Sequence, residues 1–218
     1  LPIHPETWRE SGSEEYLKLI DHAVEWSRIL DLYLILDWHS IGNLKTEQFQ
    51  NKGYITTKEE TYEFWRVMSK KYASEPVIAM YELFNEPTIS GERFGDCSWS
   101  EWKKMNQEMI DIIRENNPQA VILVTGFDWG YDLTPVKDDP IERTGIAYVS
   151  HPYPQKREKP WEPQWENDWG FVADKYPVIL TEIGFALPEE KGVHVPVHGD
   201  EEYGNAIVDY SAKKGISW

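Results

Sequence analysis

An α/β fold of repeated strand–helix units is predicted by three features. Seven short apolar or β-branched runs recur along the chain, segments of helical period separate them, and no repeat, low-complexity linker or charge block divides the 218 residues. The runs are Leu1-Pro2-Ile3, 32–37, 77–83, 121–125, 146–150, 178–182 and 216–218. Several are apolar throughout, as parallel strands covered on both faces must be. The chain therefore reads as one domain, residues 1–218, around a parallel sheet.

The helices are marked by caps and spacing. Ser13 opens a helix to about Leu30, with Leu17, Ile20, Val24 and Trp26 on its apolar stripe. Thr57 with Glu60, and Ser98 with Glu101, form S/T-x-x-E capping boxes, whose helices end near Tyr72 and Asn116. Trp165, Trp169, Val172 and Tyr176 follow helical spacing. A last helix is capped by Asp200, carries Tyr203, Ile207 and Tyr210, and ends at Gly215. Only the crossover at 138–144 is weakly helical, and 191–198 reads as an irregular loop.

Seven strands with six crossovers correspond to strands 2 to 8 of a (β/α)8 TIM barrel, a fold of about 250 residues. A remnant of this kind would leave two unpaired edges, which template aggregation. Further residues are accordingly expected beyond both ends, and the chain opens without Met or a signal segment. The alternative, an open doubly wound sheet, ranks second because no glycine-rich phosphate turn follows the early strands.

With 22 Lys and Arg against 38 Asp and Glu, the formal charge is −16. So acidic a chain repels phosphate backbones and anionic headgroups, which argues against nucleic acid or a membrane surface and for a neutral substrate. No apolar run approaches the roughly 20 residues of a membrane span. Cys97, the single cysteine, excludes an intrachain disulfide and a multi-cysteine metal site. The aromatic content is high, with 11 Trp, 12 Tyr and 7 Phe. Trp8, Trp99, Trp129 and Trp161 lie in or beside predicted loops and are candidates to stack on a sugar. Trp26, Trp65, Trp102, Trp165 and Trp169 fall in helical segments and are expected in the outer core.

In a barrel of this type the chemistry sits at the carboxyl ends of the strands. Two glutamates stand there: Glu86, in Asn85-Glu86-Pro87, and Glu182, closing the run 178–182. Facing carboxylates suit glycosidic bond cleavage, in which one protonates the leaving group and the other, ionised, attacks or activates water. Their separation decides the stereochemistry, with about 5–5.5 Å giving retention and about 6.5–9.5 Å inversion. His39 and His151 find no third ligand at zinc-like spacing, so no metal is expected. No strand run ends in lysine, which removes a Schiff-base aldolase. Asp37 and Trp38 read as packing and support, and His4 either faces an outer subsite or is an ordinary loop histidine.

The motifs LILDWHS, ELFNEP, YVSHPYP and VILTEIG, in this order and at strand–helix spacings, resemble glycoside hydrolase family 5, the cellulase-like barrels. The resemblance implies that Glu86 is the general acid/base, Glu182 the nucleophile of a retaining double displacement, and Asn85 the residue holding the sugar 2-hydroxyl. It places His39, His151 and Tyr153 in the subsite beside the nucleophile, with His151 bordering the acid/base and Tyr153 donating to Glu182, and it offers Trp218 as a sugar platform. It also expects an arginine one position before Leu1. The implied enzyme is a monomeric endo-β-1,4-glucanase acting on a neutral β-linked polysaccharide without a cofactor. Mannan, xyloglucan and mixed-linkage glucan remain alternative substrates, and a non-catalytic β-glucan-binding barrel is the alternative class. An extracellular location follows from the polymeric substrate.

Overall fold

The computed structural model describes residues 1–88, 91–191 and 197–218. Among them the strands are β1 (Pro2–Ile3), β2 (Leu34–Trp38), β3 (Ile41–Asn43), β4 (Gln48–Phe49), β5 (Ile78–Glu82), β6 (Glu86–Pro87), β7 (Val121–Thr125), β8 (Ile146–Val149) and β9 (Val178–Ile179). The helices are α1 (Pro5–Ser11), α2 (Ser13–Leu30), α3 (Lys58–Lys71), α4 (Trp99–Asn116), the single turn α5 (Phe127–Gly130), α6 (Trp161–Asp168) and α7 (Glu201–Lys214). None of the described helices is long and apolar enough to cross a membrane.

Six strands form one all-parallel sheet in the order β1-β2-β5-β7-β8-β9, with helices in the crossovers, which is the barrel-type α/β arrangement that the periodicity predicts. The inner face holds a small apolar layer of Leu123, Ala147 and Val149, joined by Ile35, Met80 and Ile179. The outer face carries the large core shared with the helices. That layer absorbs much of the aromatic excess. Trp38, Trp65, Trp102, Trp165 and Trp169 are fully buried. Three of them spend their indole N–H on buried acceptors: Trp38 on Thr61 Oγ1 (3.1 Å), Trp65 on the Leu83 carbonyl (3.1 Å) and Trp102 on the Thr125 carbonyl (2.9 Å). Pairing of this kind offsets the cost of burying an indole N–H.

The caps hold with refinements. Ser98 and Glu101 form the complete reciprocal box, and Asp200 accepts from the Tyr203 N–H. Thr57 accepts from the Glu60 N–H, but the Glu60 carboxylate turns to Arg9 and Thr56 instead of back to the cap. Ser13 is the first residue of α2 and makes no side-chain cap.

Four expectations are corrected. Trp26 is 63 % exposed, because the apolar stripe of α2 buries only Ile20 and Val24 deeply. Trp8 is core, packed edge-on against Phe64, so it is not free to stack on a sugar. The run 178–182 is a strand only to Ile179, after which Leu180 donates to the Ser217 carbonyl and the chain bends. The last run joins the sheet by one bridge, Ile179 to Ser217, and not as a full strand. The expected loop at 191–198 lies largely outside the described residues.

A second sheet, β4-β3-β6, was not legible as strands because its members are two or three residues long. It lies just past the carboxyl ends of β2 and β5. A Cβ on Gly42 would come within 2.5 Å of the Gln48 carbonyl oxygen, so only glycine permits this pairing.

Candidate active site

Each candidate side chain is aimed by the backbone that carries it. Beyond β5, Asn85 donates its N–H to the Trp38 carbonyl (3.1 Å) and Glu86 to the Ser40 carbonyl (3.0 Å), so the Asn-Glu pair is anchored to the end of β2. The bend after β9 turns Thr181 and Glu182 into the same mouth. His39, Tyr54, Asn85, Glu86, Trp129, Tyr153 and Glu182 line one cleft of about 750 Å³, with Gln50, Arg93, Asp128 and Lys156 along its walls.

One oxygen of Glu86 and one of Glu182 lie within 4.8 Å of each other, with Nδ1 of His151 in the same group. Nδ1 is 3.2 Å from Glu86 Oε1 and 3.8 Å from Glu182 Oε2. These three atoms satisfy the spacing for a small cation and, equally, that of an acid and a nucleophile beside one imidazole ring. The Tyr153 hydroxyl donates to Glu182 Oε2 at 2.9 Å. Burial and the Glu182 charge push the Tyr153 phenol up.

His151 is completely buried and is not among the residues that line the cleft; its ring stands behind Glu86 and Glu182. Burial alone would lower its pKa. The carboxylates of Glu82, Glu86 and Glu182 outweigh burial and raise it.

His39 lines the cleft, and its Nδ1 is 2.6 Å from Asp37 Oδ2. Burial pushes the Asp37 carboxyl up to about 7. Burial would lower His39, but the hydrogen bond and charge of Asp37 raise it. His4 packs 4.7 Å from His39 and stacks on Tyr54, which makes it a neighbour of the cleft wall. Asn85 Nδ2 has no hydrogen-bond partner among the described residues, although Asn85 is only 2 % exposed and borders the cleft.

Trp129 is the one loop tryptophan of the four candidates on the cleft wall. Asp128 and Trp129 both hold left-handed backbone, φ 56° and 55°, followed by Gly130 at 73°. For non-glycine residues that costs of order 1–3 kcal/mol each, so surrounding contacts must impose it. Lys156 Nζ binds the Asp128 carbonyl at 2.6 Å and the Trp129 indole donates to Gln50 Oε1 at 2.8 Å. Trp218, by contrast, is 66 % exposed and is not among the residues that line the cleft. Residue patterns gave no prior signal for Tyr54, Gln50, Arg93 or Lys156. A carboxylate inside an apolar run was the visible signal for Glu82.

A sequence model described as cellulase (glycosyl hydrolase family 5) matches residues 3–218. The chain belongs to glycoside hydrolase family 5. It is similar to endoglucanase A of Butyrivibrio fibrisolvens, at 32 % identity over 144 residues, which is 66 % of this chain and 30 % of that protein. In structure it is similar to a β-glucanase from Saccharophagus degradans, with a TM-score of 0.97 and 51 % identity over 100 % of this chain and 66 % of that one. The same β-glucanase has been solved in complex with cellotetraose. The catalytic domain of a Thermobifida fusca endoglucanase shares the fold, with a TM-score of 0.72 and 21 % identity, covering 96 % of this chain and 63 % of that one. The family 5 chain thus spans less than a third of the length of the B. fibrisolvens relative.

Proposed function

We propose that this chain hydrolyses internal bonds of a neutral β-1,4-linked glucan with retention of configuration, as one catalytic domain over residues 1–218. The observation that carries the proposal is the approach of the Glu86 and Glu182 carboxylates to within 4.8 Å. Nearest oxygens this close suit direct attack by one carboxylate, the arrangement of a retaining pair, whose carboxyl groups stand about 5–5.5 Å apart.

In the first step the Glu182 carboxylate attacks the anomeric carbon and Glu86 delivers its proton to the departing glycosidic oxygen. In the second, ionised Glu86 takes a proton from water, the resulting hydroxide equivalent attacks the same carbon, and Glu182 is released. The buried Asn85 amide supplies a donor for the sugar 2-hydroxyl, a contact that tightens as positive charge develops on the ring. Trp129 offers an apolar face beside the acid, since α5 packs on β6. A linear β-glucan as partner is supported by the relatives named β-glucanase and endoglucanase and by the cellotetraose complex. A polymer of that kind lies outside cells, which supports an extracellular site of action.

The test is the release of new reducing ends from carboxymethyl cellulose, mannan and xyloglucan in parallel, with Glu182→Gln as control. Release from the cellulose derivative, absent in the variant, is the expected outcome. Preferential release from mannan or xyloglucan would overturn the choice of sugar, and no release from any would overturn the hydrolase reading.

A further inference from the structure

Glu82 ends β5 as a carboxylate that is 3 % exposed and takes no direct part in the proposed chemistry. Its Oε1 accepts from the Thr181 hydroxyl at 2.9 Å. Thr181 Oγ1 is in turn 3.0 Å from Nε2 of His151. A hydroxyl has one hydrogen. Having given it to Glu82, Thr181 can only accept from the histidine, so Nε2 must carry a proton whatever the charge of the ring. The other nitrogen, Nδ1, faces Glu86 Oε1 at 3.2 Å.

The groups facing this ring are Glu82 and Glu86 from the β5 side, Thr181 and Glu182 from the segment after β9, and Gly130 from α5. A Cβ at position 130 would lie 2.8 Å from Nδ1, and the His151 N–H binds the Gly130 carbonyl at 2.9 Å. The ring is therefore held by its backbone, its Nε2 anchor and a glycine that makes room for Nδ1.

We infer that Glu82 is a positioning residue for the acid: acting through Thr181, it fixes the proton on Nε2 of His151 and leaves Nδ1 as the one ring site that exchanges a proton opposite Glu86. The inference rests on the hydrolase reading for the role of Glu86. The ring can then meet Glu86 as an Nδ1–H donor while that carboxylate is ionised, or as an Nδ1 acceptor once it holds the acid proton. Neither change disturbs the Nε2 anchor. Without the anchor, a neutral ring could take the opposite tautomer and donate to Glu86 permanently, holding the acid in its ionised form.

The experiment combines spectroscopy with a substrate comparison. Long-range proton–nitrogen spectra of labelled protein across about pH 5 to 9 should show His151 Nε2 protonated throughout, with any titration confined to Nδ1. Glu82→Gln, whose amide can donate to Thr181 and reverse the hydroxyl, and Thr181→Val should both lose that pattern. In both, kcat/KM on a cello-oligosaccharide should fall about tenfold or more, with less than about twofold change on an aryl glycoside whose leaving group needs no acid. Thr181→Ser, which keeps the hydroxyl, should restore wild-type spectra and ratio. A wild-type Nε2 without its proton would overturn the inference. So would a Glu82→Gln variant with unchanged spectrum and substrate ratio, or equal losses on both substrates. A wild-type chain that turns over no glucan would overturn the hydrolase reading and the positioning role with it, while the spectrum would still decide where the proton sits.

Discussion

Ile41 and Glu86 are register partners in the small sheet past the strand ends, so the backbone of the proposed acid is clamped to the turn that follows β2. This pairing, with the Asn85 and Glu86 N–H groups bonded to Trp38 and Ser40, sets where the carboxylate stands before any side-chain contact acts. Catalysis by positioned groups depends on this kind of rigidity, since a displacement of about 1 Å can cost about 10²-fold in rate.

The clamp can be loosened at Gly42. Gly42→Ala places a Cβ 2.5 Å from the Gln48 carbonyl oxygen and the Phe49 ring, which forces β3 and β4 apart. A loss of about 1–3 kcal/mol in chemical denaturation is expected for this overpacking. kcat should fall more than KM rises, because the substrate walls remain while the acid shifts. Unchanged kcat in a destabilised variant would separate the clamp from the chemistry.

Removal of the Tyr153 hydroxyl should act on Glu182, the proposed nucleophile. Tyr153→Phe deletes the 2.9 Å bond to Glu182. A hydrogen bond to a charged group contributes about 1.5–3 kcal/mol, so kcat/KM on soluble β-glucan should drop about tenfold or more. Rates within a factor of two of wild type would place the phenol outside the working site.

Glu86→Ala should separate substrates by leaving group. Natural glycosidic oxygens need the proton and should lose about 10²–10⁴-fold in kcat/KM, whereas activated aryl glycosides should lose far less. Equal losses on both would contradict an acid at this position.

The Asp37–His39 pair gives a pH dependence of stability. Burial lifts the folded Asp37 carboxyl to about 7, above its unfolded value, so between those two values the native state binds more protons than the unfolded chain. His39 is also raised in the folded state, and its contribution is likewise present at lower pH and lost as pH rises through its folded pKa. Both act with one sign, so Tm should decline as pH rises from the unfolded Asp range toward and past neutrality. Asp37→Asn should flatten that decline. An equally steep profile in the variant would assign it to other groups.

Much of this protein was determined by local sequence. The strand runs 121–125 and 146–150, the capping box at Ser98 and Glu101, the Asp200 cap and the left-handed Gly215 are read from a few adjacent residues, because propensity and backbone hydrogen bonding act at that range. Glu86 and Glu182 could be singled out because each follows an apolar run at what would be the mouth of a barrel. The tertiary structure alone decided that Trp26 and Trp218 face solvent while Trp129 faces the cleft, since each has the same chemistry and differs only in which neighbours fold against it. It also decided the 4.8 Å approach of the two glutamates and the place of His151 behind them. Distances between strand ends 96 residues apart are set by sheet register and twist, sums over the whole fold that no local pattern contains.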